Sequence, residues 1–94
     1  MDFPKEFTVN VTQKDIDEGV AEDCYACPIA LAAMRATGCK GAGVSPYYLR
    51  LFYDNEEASY RLPRAAERFV LDFDEGKPVE PFSFTVTIYR HTSV

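Results

Sequence analysis

The chain has 94 residues, 47% hydrophobic and 14% aromatic, enough apolar material for one core and too little length for a second domain. Ten basic against fifteen acidic residues leave a net charge of −5, which argues against a protein that coats duplex nucleic acid by neutralising phosphates. No run approaches the roughly 18 to 20 uncharged apolar residues of a membrane helix, and residues 1–6 lack the basic and apolar regions of a secretory signal. The expectation is a soluble cytoplasmic protein.

Phe7, Val9 and Val11 alternate with Thr8, Asn10 and Thr12, the period-two pattern of a half-buried strand. Residues 1–6 before it read as an N-terminal tail. Thr12 and Asp15 have capping-box spacing, which starts a short helical turn closed at Gly19, where a positive φ costs nothing. Pro28 fits the first position of a helix through Thr37 that Gly38 ends. Ala30, Ala32, Ala33 and Ala36 give this helix so little bulk that it can lie close against a sheet or another helix. Residues 38–43 then read as a flexible, glycine-rich connection, without the spacing of a phosphate-binding loop.

Residues 44–53 predict a strand with Tyr47, Leu49, Leu51 and Tyr53 on one face and Tyr48, Arg50 and Phe52 on the other. A polar turn over residues 54–57 leads to a returning arm over residues 58–62. Pro63 opens a helix whose Ala66, Phe69, Val70 and Phe73 share one stripe, and Gly76 ends it. Phe82, Phe84, Val86 and Ile88 alternate with polar residues in a last strand, followed by a tail over residues 90–94. The order β-α-β-β-α-β predicts a single α+β domain over residues 1–94, a mainly antiparallel four-stranded sheet with two helices on one face.

Charge is distributed unevenly. Residues 1–24 carry seven acids against Lys5 and Lys14, a local balance of −5, whereas residues 25–71 carry six bases against four acids, a balance of +2. The basic middle overlaps the most aromatic stretch, and Tyr48, Arg50, Tyr60, Arg61, Arg64 and Arg68 are the candidate ligand-binding residues. Arginine recognises phosphate or carboxylate in a planar, bidentate way, and tyrosine stacks on bases or anchors an interface.

Cys24-x-x-Cys27 at a helix start has the look of a dithiol site, because a helix N-terminus lowers thiol pKa. The context opposes it: Glu22 and Asp23 raise thiol pKa, and the preceding strand is separated from the motif by a capped turn. Cys39 and His91 would complete a formal Cys₃His zinc set with Cys24 and Cys27, but neither belongs to a second closely spaced pair. Structural thiols, a solvated tail histidine, no metal and no cofactor are expected. Three cysteines, an odd number, point to reduced thiols.

Thr12-Gln-x-Asp-Ile-Asp-x-Gly19, Cys27-Pro-Ile-Ala-x-Ala32, Leu62-Pro and Phe73-Asp-x-Gly-x-Pro-Val-x-Pro-Phe-x-Phe84 together resemble a family of small phage- and prophage-encoded proteins. The resemblance covers roughly residues 7–88 and brings no activity with it, so no catalytic residue is carried over. It implies a phage protein in a bacterial cytoplasm, a setting in which small acidic proteins block host defence by binding. The expected function is therefore that of a non-enzymatic binding module that sequesters a phosphate-bearing nucleotide signal, as a homodimer or higher homo-oligomer. Two alternatives stand beside it: an inhibitor that docks on a basic host defence protein, as anti-CRISPR proteins do, and a thiol oxidoreductase using Cys24 and Cys27. A virion component is also compatible with these residues.

Overall fold

Alternation in the first predicted strand sets the pattern for the whole architecture. A computed structural model describes residues 2–93. Strand β1 (Glu6–Val11) buries Val9 and Val11 and exposes Thr8 and Asn10. Helix α1 (Gln13–Glu18) follows, then α2 (Pro28–Thr37), β2 (Gly41–Val44), β3 (Tyr48–Tyr53), β4 (Glu56–Arg61), α3 (Arg64–Asp74) and β5 (Phe82–Ser93). The strands form one antiparallel sheet in the order β1-β5-β4-β3-β2. The α+β class is as predicted, but the described residues form five strands and three helices where four and two were expected.

The extra strand lies where a flexible connection was expected. Glycine is a poor strand former, yet Gly43 has a reason to stand in β2, because an aromatic ring crowds the space beside it. A Cβ at Gly43 would stand 3.0 Å from the Tyr25 ring and 3.5 Å from that of Phe52. On the opposite face Ala42 and Val44 are buried. The predicted strand over residues 44–53 is accordingly split, with a tight turn closed by the Ser45 N–H donating to the Tyr48 carbonyl (2.9 Å).

Helix α2 lies against β1 and β2, the two edges of the sheet. Strands sit about 4.8 Å apart, so the edges of a flat five-stranded sheet would be too distant for one helix of about 10 Å diameter to touch both. The sheet therefore curls around α2, whose Ile29, Ala30, Ala32 and Ala33 fill its concave side together with Leu49, Leu51 and Tyr60. Helix α3 adds Ala66 and Phe69, and the Phe69 ring stacks on Phe82 at 4.9 Å between centroids.

Residues 2–6 and 90–93 of the two expected tails are built into the fold, Met1 and Val94 lying outside the described residues. Phe3 is buried, the Tyr60 hydroxyl donates to the Pro4 carbonyl (2.6 Å), and the Ile88 N–H donates to the Lys5 carbonyl (2.7 Å). At the other end β5 continues to Ser93, with Ala58 opposite His91 and Glu57 opposite Thr92. The register slips by one residue on the way: Tyr60 faces Ile88 and Ser59 faces Arg90, leaving Tyr89 as the extra residue of a β-bulge.

Asp15, one of the seven acids of the acidic front, is buried and structural. Its carboxylate takes a bidentate bond from Arg35 (2.7 and 2.8 Å) and accepts from the Thr12 N–H (2.9 Å), while the Thr12 hydroxyl accepts from the Asp15 N–H. Arg35 also donates to the Asn10 carbonyl (2.8 Å), so one guanidinium ties α2 to α1 and β1. Gly19 ends α1 as expected but for a different reason. Its φ is −67°, and its missing Cβ makes room for the Pro28 ring, which would lie 2.6 Å away.

The Arg35 hydrogen bonds hold the Asp15 carboxyl below its ordinary value of 3.8, against the opposing effect of burial. A lowered folded-state pKa gives stability that is complete above the unfolded value and is lost as pH falls through the folded one. Asp15→Asn should cost about 2 kcal/mol near neutral pH, and urea titrations between pH 7 and 2 should lack the part of the acid destabilisation that this carboxylate contributes below its ordinary value. Tyr60→Phe should cost about 1 to 2 kcal/mol, because the Pro4 carbonyl loses its donor inside the fold; thermal unfolding measures it.

Candidate binding face of the sheet

Among the described residues no helix covers the convex face of the sheet, which gathers aromatic and arginine side chains. Tyr48, Arg50 and Phe52 share this face of β3, and the register sets Arg61 opposite Tyr48, Ser59 opposite Arg50 and Glu57 opposite Phe52. From β5, Ser59 meets Arg90. A shallow depression of about 330 Å³ is lined by Tyr48, Arg50, Glu57, Tyr89 and Arg90, with Ser59 and Thr92 between them.

Ring and cation contacts organise this face. The Tyr48 and Tyr89 rings are 5.4 Å apart, and the Arg61 guanidinium lies 5.9 Å from the Tyr48 centroid. Arg50 lies 5.9 Å from the Phe52 centroid and 3.9 Å from the Glu57 carboxylate, a half-exposed pair at the outer limit of an ion pair. Cations held over aromatic faces keep their N–H groups available at the ring edge, where phosphate or carboxylate oxygens can accept from them.

Of the six residues proposed from sequence, the structure brings three together: Tyr48, Arg50 and Arg61. Tyr60 belongs to the core, since period two puts it on the face opposite Arg61, and it is fully buried with its hydroxyl on Pro4. Burial pushes its phenol up to about 12. Arg64 lies in the first turn of α3, outside the depression. Arg68 lines a different cavity of about 480 Å³, between α3 and residues 78–82, in company with Asp72 and Glu80.

Tyr89 and Arg90 were missed from the sequence. A regular period-two strand places neighbours on opposite faces; the bulge sets both against the same depression. His91 is solvent-exposed as expected but belongs to β5 and not to a tail, at the margin of the other face, edge-on to the Phe3 ring at 5.2 Å, with Nε2 3.3 Å from the Glu56 carboxylate.

The cysteines are free. Cys27 caps α2 and is buried, and burial pushes its thiol pKa up, the reverse of what a nucleophilic dithiol requires. Cys39 is also buried, its Sγ 3.2 Å from the Gly41 carbonyl. Among the described residues no three His, Cys, Asp or Glu side chains converge on a point that could hold a metal ion, so Cys24, Cys27, Cys39 and His91 do not form the formal zinc set. Also among the described residues, no helix is long and apolar enough to cross a membrane.

No protein-family model matches the chain, and neither a curated protein nor a solved structure matches it.

Exposure separates the thiols in a way that a reagent can count. In Ellman titration of the native protein Cys24 should react rapidly, and Cys27 and Cys39 about a hundredfold more slowly, at the rate at which the fold opens. In denaturant all three should react together.

Proposed function

We propose that the protein is a non-enzymatic binding module whose convex sheet face takes a phosphate-bearing nucleotide. The observation that carries this reading is the meeting, across β3, β4 and β5, of two contacting tyrosine rings with Arg50, Arg61 and Arg90 on one solvent-facing surface. Arginines at ring edges suit phosphate oxygens, and the outward faces of Tyr48 and Tyr89 suit a base, because the rings already fill the space between themselves. Glu57 beside Arg50 gives the face a carboxylate that disfavours a continuous polyanion and leaves a small ligand preferred.

In the phage setting that the sequence resemblance implies, such a face sequesters a nucleotide signal of host defence. Tyr89 is 58% exposed at the edge of the depression. A second copy stacking there would close the ligand between protomers, so the active form in this proposal is a homodimer. No bond is made or broken in this role, and neither metal nor cofactor is required.

Calorimetry against a panel of cyclic and ADP-ribose-derived nucleotides tests the proposal. Arg50→Ala, Arg61→Ala and Arg90→Ala should each weaken binding about tenfold, the worth of one charge-assisted hydrogen bond, whereas Arg64→Ala should leave it unchanged. Absence of binding for every nucleotide at high micromolar concentration would remove this function.

A further inference from the structure

Beside its core stripe, helix α3 carries a second one that shares only Val70 with it. Glu67, Val70, Leu71 and Asp74 recur at i, i+3, i+4 and i+7, so two apolar residues sit between two acids on one face. That face forms one wall of a groove of about 360 Å³, whose other wall is Val44, Pro46 and Tyr47. Tyr47 and Leu71 are 61% and 59% exposed, a large apolar pair in solvent. No lysine or arginine lines the groove. More acid gathers at its Asp74 end, because the Glu22 N–H donates to the Asp74 carboxylate (2.9 Å) and so holds Glu22 and Asp23 nearby.

We propose that this groove docks a basic amphipathic helix of a protein partner. Its apolar side chains would seat between Tyr47 and Leu71, and its Lys or Arg side chains would meet Glu67 at one end and Asp74 with Glu22 at the other. Glu67 and Asp74 are seven residues apart, roughly 10 Å along the helix axis, which matches cations two turns apart on a facing helix. Charge selects the occupant: an acidic rim repels anionic lipid surfaces, and a second copy of this chain brings a net charge of −5 to the same rim. This site is separate from the arginine face in residues and in charge, and it does not depend on nucleotide binding.

The test uses the full chain and a fluorescein-labelled helical peptide of Leu and Lys at amphipathic spacing, with a scrambled peptide of the same composition as control. Fluorescence anisotropy should show the amphipathic peptide binding at least about tenfold more tightly than the scrambled one. Leu71→Asp should weaken it about tenfold or more, and circular dichroism should be unchanged because the side chain is exposed. The Glu67→Gln/Asp74→Asn double variant should weaken binding and flatten its salt dependence, while Arg50→Ala should leave it untouched. Equal affinity for the two peptides, or binding that Leu71→Asp leaves unchanged, overturns the proposal. So does concentration-dependent self-association that Leu71→Asp abolishes, which would make a second copy the occupant.

Discussion

The close approach of α2 to the sheet is the constraint on which the rest of the structure depends. A five-stranded sheet can bring both of its edge strands to one short helix only by curling, and it can curl tightly only if the helix inside is thin. Ala30, Ala32 and Ala33 supply that thinness, being almost fully buried without projecting beyond a methyl group. The large residues that complete the core, Leu49, Leu51, Tyr60 and Val86, come from the strands. Because the concave side is filled in this way, the convex side is left without a helix, and polar and aromatic side chains accumulate there.

Much of this was legible in the sequence, and each departure has an identifiable physical cause. Strand β1, the capping box of α1, the Pro28 start of α2 and the apolar stripe of α3 follow from periodicity and end chemistry, because each depends on residues close in the chain. Strand β2 was hidden by its glycines: its signal is the absence of side chains where Tyr25 and Phe52 lie, and that partnership spans sequence separations no local pattern reports. Tyr60 was grouped with Arg61 by proximity in sequence, although alternation alone separates them. The capping role of Asp15 is legible, but its burial is not, because a single sequence does not display its partner, Arg35, twenty positions away.

Charge also reads differently once partners are known. The middle of the chain carries a balance of +2, but Arg35 is occupied by Asp15 and Lys40 by Asp54. The cations that define the convex face are Arg50 and Arg61 from that region and Arg90 from what looked like a tail. The acids likewise divide: Asp15 is internal, while Glu22, Asp23, Glu67 and Asp74 come together from distant parts of the chain around one apolar groove. A modest net charge thus conceals two surfaces of opposite character.

The bulge at Tyr89 makes the chain's length, and not only its composition, part of the recognition surface. Removing Tyr89 would restore strict alternation through the end of β5 and keep the pairing beyond it, with Arg90 still over Ser59 and His91 still over Ala58. Closing the bulge with no residue removed would instead set Tyr89 over Ser59 and move Arg90 to the face now held by His91, beside Phe3. The extra residue is thus what lets a strand of alternating faces present a ring and a guanidinium side by side on one of them, and a shift in parity would exchange those faces while leaving every residue type intact.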